Sequence, residues 1–502
     1  MTRRAASSPP AYLTEVPPLD AEPVAAGAGD VLADVAEWGR RRDAKAWAEP
    51  LPRDSDVALA EHVLTTWQRS RGQIVYSEGR TWEYDKGAWV WRAVSDRDLL
   101  GAVEALDGKP VRTSDPELPV RSVTLSEGRV QAVGRMIRRH VAEPEWFCGG
   151  DRGSGTAIFA NGLAVTEGAV PSAPLSIMRA DDTPTRARWT LQTELPWWED
   201  AEAEAPTWDR FLADVLNPSA SSDEAELLYE FLGAAMLGIT HRLEKCLVLV
   251  GPGANGKSVI LDVMAAMFPA SALVSLAPHH FGRNFLVSAL SGAAVNVCNE
   301  IPDSDMVGSE VFKRVVSGQP TTGEYKGKDA FAFRPRCAHI FAGNALPGTT
   351  DHSAGYFRRH VVVPLTRTIP EAQRDLRLAE RIIEDELPAI ALRAIRAVGR
   401  LLARGHYVEP VTSTEAMRQW RLDADVVAQW ADECVTQCDA AEGWAGGEAY
   451  GHFADFARAR GQAVPGLPKW AARCKALGFT QHRTPTARKW SFRRRLPTAG
   501  AW

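Results

Sequence analysis

A glycine-rich segment between an apolar run and a helix-like run constrains this chain more than any other feature. The apolar run Cys246–Val250 predicts a buried strand, and the run from Val259 to Met264 predicts a helix. Between them lies the glycine loop, which we define as Gly251-Pro252-Gly253-Ala254-Asn255-Gly256-Lys257-Ser258. A strand, a glycine turn and a helix start that closes with Lys-Ser form a cradle for a polyphosphate.

The residue types in the glycine loop have separate roles in nucleotide binding. Glycines allow the backbone N–H groups to face the phosphates, which predicts contacts from Gly251, Gly253, Ala254, Asn255 and Gly256. Lys257 reaches the β- and γ-phosphates, and the Ser258 hydroxyl takes a ligand position on Mg²⁺. An accidental Lys-Ser after a glycine turn is the alternative, and the flanking strand and helix argue against it. We therefore expect ATP and Mg²⁺ as ligands.

The overall composition excludes several classes of protein. With 502 residues and 45% hydrophobic content, about three domains with sizeable cores are expected. A net charge of −5 gives no general affinity for a polyanion, so any nucleic-acid surface has to be local. No apolar run approaches the roughly 20 residues that cross a bilayer, and the seven cysteines are scattered. We expect a cytoplasmic protein with reduced thiols and no membrane partner.

The first two hundred residues divide into two parts by composition. Residues 1–50 are rich in Ala, Pro, Asp and Glu and predict a disordered arm. Further on, aromatic residues alternate on both sides of the turn Asp85-Lys86-Gly87, which predicts a β-hairpin with Trp82, Tyr84, Trp89 and Trp91. Stacking on bases is one reading of these aromatics, but alternation toward one face favours packing in a core.

Two further apolar strands end in polar residues that suit a nucleotide site. The run Ala293–Cys298 ends in Asn299-Glu300, about 40 residues after the glycine loop. An acid at this place holds Mg²⁺ and orients or deprotonates the attacking water. The run Ala338–Ala342 is followed by Asn344, whose side chain is placed to sense the γ-phosphate or the water.

Two pairs of basic residues lie next to predicted strands in the second half of the chain. Lys326 and Lys328 flank a glycine between two extended segments, which suits a hairpin that grips a phosphate backbone; a solvated turn is equally compatible with the spacing. Arg358 and Arg359 precede an apolar strand, where a guanidinium can stabilise transition-state charge on the ATP of a neighbouring subunit. Taken singly, both arginines are also compatible with ordinary surface charge.

These motifs, in this order, resemble those of superfamily 3 helicases, in particular the primase-helicase branch of phages, plasmids and large DNA viruses. The resemblance covers roughly residues 70 to 500. The matching segments are the glycine loop, Asn299-Glu300, Thr322-Gly323-Glu324-Tyr325-Lys326-Gly327-Lys328, Phe341-Ala342-Gly343-Asn344-Ala345-Leu346-Pro347 and Arg358-Arg359.

The resemblance implies an architecture and a mechanism. It implies an α/β fold with a P-loop AAA+-like ATPase core over residues 206–405, a helicase-associated α+β domain over 51–205 and a winged-helix-like domain over 406–502. It also implies a homohexameric ring that moves single-stranded DNA through its centre with 3′-to-5′ polarity. The implied site comprises Lys257, Glu300 and Asn344, an arginine finger in trans from Arg358 or Arg359, and a pore hairpin that carries Lys326 and Lys328.

The C-terminal sequence supports a DNA-binding domain independently. From Lys469 to the end there is no Asp or Glu, and aromatic residues alternate with the cations. A disordered basic tail is the alternative, and the aromatics favour a folded hairpin or wing that contacts duplex DNA. The predicted DNA contacts are Arg488, Lys489, Arg493, Arg494 and Arg495.

Two departures from the family pattern bear on activity. Many superfamily members have two acids where this chain has Asn299-Glu300, so Mg²⁺ binding rests more on Ser258, and hydrolysis is expected to be slow. Residues 51–205 carry neither a zinc-ribbon cysteine set nor a carboxylate cluster, so primer synthesis would need a separate primase or polymerase.

The leading hypothesis is therefore an ATP-dependent replicative DNA helicase of a phage, plasmid or similar mobile element. An origin-binding initiator or loader that uses ATP without processive unwinding is the main alternative. A small-molecule kinase on the same loop gives no role to the basic C-terminus or the arginine pair. A relative that acts in antiviral defence also fits these motifs.

Overall fold

The structure is a computed structural model, which describes twelve stretches of the chain. These are residues 50–113, 115, 120–147, 155–170, 173–180, 185–196, 203–219, 221–301, 309–349, 351–439, 442–483 and 488–495. Nearly all of the predicted disordered arm, as well as Cys148, lies outside them.

The N-terminal part combines three helices with two small antiparallel sheets. Its elements are α1 (Asp56–Ser70), β1 (Ile74–Ser77), β2 (Arg80–Asp85), β3 (Val90–Val94), α2 (Asp96–Glu104), β4 (Pro110–Arg112), β5 (Val120–Ser122) and α3 (Glu127–His140). The predicted hairpin is confirmed, because β2 pairs antiparallel with β3 and places Tyr84 opposite Trp91. Trp82 and Trp91 are buried against Phe147. Trp82 and Trp91 therefore form core, as their alternation predicts, whereas Tyr84 and Trp89 are partly buried and Trp89 lies in the turn.

A third antiparallel sheet and a helix pair lead to the glycine loop. Their bounds are β6 (Thr156–Ile158), β7 (Leu163–Val170), β8 (Ala173–Arg179), α4 (Pro206–Val215) and α5 (Ser221–Met236). Phe211, Leu212 and Val215 of α4 are buried at helical spacing in the same core as Leu227 and Phe231 of α5. The 3- and 4-residue spacing of these apolar side chains is that of the buried face of a helix.

The centre of the molecule is a five-stranded parallel sheet, so the chain has a mixed α/β fold. Its strands are β9 (Cys246–Val250), β10 (Leu273–Val274), β11 (Val295–Cys298), β14 (Ala338–Gly343) and β15 (His360–Pro364), in the order β10-β11-β14-β9-β15. The continuous apolar runs of β9 and β14 are those of strands covered on both faces. Leu247 and Leu249 face one core and Cys246 and Val248 the other.

Short helices and a hairpin connect these strands. They are α6 (Lys257–Ala266), α7 (Asn284–Val287), α8 (Ser309–Val316), β12 (Thr321–Gly323), β13 (Phe331–Phe333) and α9 (Ala354–Phe357). After the sheet, the long helix α10 (Leu378–Arg404) packs along α5 and α6. The cores on the two faces of the sheet hold its strands from both sides.

The C-terminal part has a core of its own, built mainly from aromatic side chains. Its elements are α11 (Val411–Asp423), α12 (Val426–Cys434), β16 (Val435–Gln437), α13 (Gly446–Ala459), α14 (Leu467–Ala476), β17 (Gln481–Arg483), β18 (Arg488–Trp490) and β19 (Phe492–Arg494). Trp430, Trp470, Trp490, Phe453 and Phe492 are fully buried in it. The basic segment is therefore folded where the structure describes it, with β17 and β18 paired as a hairpin.

Among the residues that the structure describes, no helix is both long and apolar enough to cross a membrane. The cysteines that the structure describes are free thiols, and four of them are buried, namely Cys246, Cys298, Cys337 and Cys474.

Candidate functional site

The glycine loop lies where an open parallel sheet usually binds its ligands. From β9 the chain crosses to β10 at one edge, returns through β11 and β14, and then passes to β15 on the other side of β9. The connections that leave the adjacent strands β9 and β14 thus run toward opposite sides of the sheet, and ligands bind beyond the carboxyl ends of strands at such a switch point. The glycine loop follows the carboxyl end of β9.

The backbone of the loop requires small residues at two positions. A Cβ atom on Gly251 would lie 2.0 Å from the carbonyl oxygen of Leu365, so only glycine fits there. Gly256 has φ +86° and a ring carbon of Phe211 only 2.9 Å from the place of a Cβ. Ala254 adopts the left-handed conformation with φ +57°, which is costly for a residue with a Cβ. The surrounding structure therefore holds the loop in one strained conformation.

Backbone groups after β15 hold the glycine loop from outside. The buried Asn255 donates from Nδ2 to the carbonyl oxygen of Leu365 over 2.9 Å. The N–H of Ile369 donates to the carbonyl oxygen of Ala254 over 2.7 Å. Sequence reasoning missed Leu365 and Ile369, because they act through backbone atoms and leave no signal in residue type.

The side chain of Lys257 binds two acceptors within its own loop. Its Nζ donates to the carbonyl oxygen of Gly251 over 2.5 Å and to Asn255 Oδ1 over 3.0 Å. Burial lowers the pKa of the Lys257 ammonium below its ordinary value. Helix α6 starts at this lysine without a side-chain cap on its first turn, and the exposed Ser258 follows. N–H groups at the start of a helix attract an anion, so this end of the loop fits a phosphate group.

Glu300 and Asn344 lie at the carboxyl ends of the parallel strands, as the glycine loop does. β14 lies between β11 and β9, and neighbouring strands are about 4.8 Å apart, which separates β11 from β9 by about 10 Å. Glu300 comes two residues after β11, and the Ile301 N–H donates to the carbonyl oxygen of Ala342 over 3.0 Å. Asn344 directly follows β14, and both side chains are exposed.

The two arginines directly precede β15, so they lie at the amino ends of the parallel strands, opposite the glycine loop. Their surroundings differ. The Arg359 side chain is 7% exposed and donates to Ser317 Oγ over 3.0 Å and to the carbonyl oxygen of Gly355 over 2.5 Å. The Arg358 side chain is 62% exposed and forms an ion pair with Glu244 over 3.0 Å. Arg359 Nη2 also lies 3.4 Å from the same Glu244 oxygen, so the arginines share this partner and differ in exposure and in the further bonds of Arg359.

The segments on both sides of Lys326 and Lys328 form the β-hairpin that the sequence predicts. β12 pairs antiparallel with β13, and Gly327 at the tip has φ +75°. Lys326 is exposed at this tip, and Lys328 forms an ion pair with Asp96 over 2.6 Å.

An exposed aromatic residue beside this hairpin was missed in the sequence. Phe285 of α7 is 56% exposed, and the carbonyl oxygen of the preceding Asn284 accepts from the N–H of Glu324 in the hairpin. The only sequence signal is a phenylalanine next to Arg283 and Asn284, because a four-residue helix has no periodicity to read.

The predicted DNA contacts of the C-terminal part lie on its described surface. Arg488, Arg493, Arg494 and Arg495 are exposed, and Lys489 is half-buried. Arg493 forms an exposed ion pair with Glu442 over 3.1 Å, and Arg495 donates to the carbonyl oxygen of Val435. Lys489, Arg493 and Arg494 line an open groove of about 380 Å³, which Trp444 and the acidic Glu442 and Glu448 also line.

Comparison with known families gives one match within the chain. Residues 249–359 match the model of a family described as "Family of unknown function (DUF5906)". The match begins in β9, includes the glycine loop and ends at Arg359, and its description assigns no activity.

Solved structures of the NrS-1 C-terminal region are similar to this chain at low identity. The A-form apo structure of that region has 11% identity and a TM-score of 0.43, and the match covers 76% of this chain and 77% of the other. A second apo structure of the region has 10% identity and a TM-score of 0.41, with 88% and 99% covered.

Proposed function

We propose that this chain is an ATP-dependent DNA helicase whose ATP sites form between identical subunits of a ring. The proposal rests on the arrangement of the parallel sheet. The glycine loop, Glu300 and Asn344 lie at the carboxyl ends of its strands, and Arg358 lies at the amino ends. On this proposal residues 206–405 are a P-loop AAA+-like core, 51–205 a helicase-associated domain and 406–502 a winged-helix-like domain.

The residues of the glycine loop fit a nucleoside triphosphate. Lys257 already caps an acceptor of the loop, the Gly251 carbonyl, and a phosphate group offers it stronger acceptors. Ser258 and Glu300 would hold Mg²⁺, which neutralises charge on the transferred phosphoryl group. Glu300 also accepts the proton of the attacking water, and Asn344 orients that water from the neighbouring strand.

Arg358 acts on the ATP of the next subunit. An arginine that contacts the transferred phosphoryl group stabilises transition-state charge and raises turnover about 10³-fold or more. Arg358 cannot reach the glycine loop of its own chain. The backbone carbonyl of the next residue, Arg359, accepts from the N–H of Cys246 at the start of β9. The glycine loop begins five residues after Cys246, which is roughly 16 Å along the strand. Glu244 keeps the Arg358 guanidinium in place until the neighbour docks.

DNA contacts come from two surfaces of the chain. Lys326 and Lys328 at the hairpin tip bind the phosphates of the single strand in the ring, and the exposed Phe285 offers a ring on which a base stacks. The cations of the C-terminal part bind duplex DNA by charge. ATP hydrolysis moves the hairpin relative to the sheet and thereby pulls the strand.

The test is the substitution Lys257→Ala, measured in ATPase and strand-separation assays on a forked duplex. Loss of both activities with retained DNA binding supports the proposal. Unwinding at the wild-type rate would reject it.

An initiator or loader that binds an origin without processive unwinding is the second candidate. The exposed Asn299-Glu300 pair favours it, because a single acid at this position reduces the ligands available to Mg²⁺. Turnover with and without single-stranded DNA separates the two. A helicase is stimulated by the single strand, whereas a loader turns over slowly in both conditions.

A further inference from the structure

The tip of the lysine hairpin contacts the N-terminal part of the chain through one shared carboxylate. Lys328 Nζ donates to Asp96 Oδ2 over 2.6 Å, although the two residues are 232 positions apart in the sequence. The other oxygen of this carboxylate, Oδ1, accepts from Arg138 Nη2 of α3 over 2.8 Å. Asp96 is therefore bound by a cation of the hairpin and by a cation of its own part of the chain.

The position of this ion pair is fixed by packing at the base of the hairpin. Tyr325 stacks on Phe331 with ring centroids 4.6 Å apart, and the guanidinium of Arg80 lies 4.6 Å above the Tyr325 ring. Gly79 contacts Phe331 so closely that a Cβ on it would lie 2.8 Å from the ring. The hairpin is thus seated on the turn between β1 and β2, and this seat holds Lys328 beside Asp96.

The charge state of Asp96 agrees with this contact. Partial burial alone would raise the pKa of its carboxyl group. The hydrogen bond from Lys328 and the charge of Arg138 outweigh burial and hold that pKa below the ordinary value. Asp96 therefore stays ionised beside the hairpin at neutral pH.

A carboxylate and a DNA phosphate offer an ammonium group the same chemistry. Each presents anionic oxygens, and lysine binds both as a point charge with three donors. The side chains of Lys328 and Asp96 are 45% and 46% exposed, so a phosphate can reach the lysine from solvent. Both anions cannot occupy the same donors of Lys328 at full strength.

We infer that Asp96 is a positioning residue that competes with a DNA phosphate for Lys328. The inference rests on the proposed function, because it takes the hairpin to be a DNA contact. Asp96 holds the hairpin in place without DNA, and a phosphate displaces it when the strand enters. Arg138 then retains the released carboxylate, so the N-terminal part sets how tightly the hairpin binds the strand.

The experiment measures binding of a fluorescent oligothymidylate by anisotropy over a range of salt concentrations. In the wild type the negative charge of Asp96 stays beside Lys328, so a phosphate bound there loses fewer of the cations condensed on the DNA. In Asp96→Asn the lysine neutralises the phosphate without a competing carboxylate, so log Kd should depend on log[salt] more steeply by up to about 0.7. Affinity at low salt should rise about two- to fivefold, which matches an exposed ion pair.

Three control variants separate this competition from a general effect of charge. Asp98→Asn removes the same charge two residues further along α2, where the carboxylate accepts from Ser95 Oγ, and should leave the salt dependence unchanged. Arg138→Gln leaves Asp96 wholly to Lys328 and should weaken DNA binding. In a Lys328→Gln background, Asp96→Asn should have no further effect on the salt dependence.

The outcomes distinguish this inference from the proposed function. Equal salt dependence in Asp96→Asn and Asp98→Asn overturns the competition while leaving the hairpin a DNA contact. Unchanged DNA binding in Lys328→Gln overturns the role of the hairpin itself, and the competition with it. A steeper salt dependence in Asp96→Asn that disappears in the double variant supports the inference.

Discussion

Arg358 and Gly251 lie at opposite ends of two neighbouring parallel strands. Arg358 comes two residues before β15, whereas Gly251 directly follows β9, and the register pairs His360 with Cys246 and Pro364 with Val250. One chain therefore presents its glycine loop and its exposed arginine on different sides. A complete site of the proposed kind needs two copies of the chain.

The two arginines should respond differently to truncation. We expect Arg358→Ala to lower ATP turnover about 10³-fold or more, with an unchanged melting temperature, because its exposed guanidinium acts on a neighbouring subunit. Arg359→Ala should instead lower the free energy of unfolding by about 1–3 kcal/mol, since it leaves partly buried acceptors such as Ser317 Oγ without their donor. ATPase assays and urea unfolding of both variants measure the two effects. Full turnover in Arg358→Ala would contradict the assignment.

Two asparagines at the site should separate binding from chemistry. Asn255→Ala removes the buried amide that joins the glycine loop to Leu365, and we expect KM for ATP to rise about tenfold. Asn344→Ala should lower kcat about 10²-fold with KM nearly unchanged, since in the proposed function its exposed side chain orients the attacking water. Steady-state kinetics of the two variants provide the comparison. The same pattern of change in both would argue against these roles.

Phe285 should contribute to binding of single strands. Phe285→Ala removes a ring on which a base can stack, worth about 1–3 kcal/mol, and should weaken oligothymidylate binding about tenfold. Leu376→Ala is the matched control, because Leu376 is 93% exposed and lies outside the hairpin segment. Fluorescence anisotropy measures both affinities. Equal effects of the two substitutions would remove Phe285 from the DNA surface.

A buried histidine predicts how stability depends on pH. Burial lowers the pKa of His339 in β14 to about 3. The unfolded chain takes up a proton near pH 6.5 that the folded chain does not, so the free energy of unfolding falls as the pH falls from about 6.5 toward 3. At about pH 5 this residue should lower it by about 2 kcal/mol. Urea unfolding should therefore show a smaller pH dependence in His339→Gln, and an unchanged one would contradict this reasoning.

The local units of this fold could be read from the sequence. The strand and helix around the glycine loop, the aromatic hairpin at Trp82 and Trp91 and the lysine hairpin are each encoded within a few tens of residues. Their periodicity and turn residues determine them without reference to the rest of the chain.

The arrangement of these units depends on distant contacts that no local pattern contains. Strand order decides that Glu300 and Asn344 share an edge with the glycine loop. Packing decides that Arg359 is buried and Arg358 exposed, although adjacent identical residues give the same local signal. The pair of Lys328 and Asp96 joins segments 232 residues apart, so no spacing rule detects it.

The most direct test of a shared ATP site is to mix two inactive variants. Lys257→Ala lacks a working loop but supplies Arg358, and Arg358→Ala lacks the arginine but supplies the loop. In rings that assemble at random from equal amounts, a quarter of the contacts join an intact loop to an intact arginine. We predict that the mixture regains about a quarter of wild-type ATP turnover. A mixture as inactive as its separate components would contradict the account.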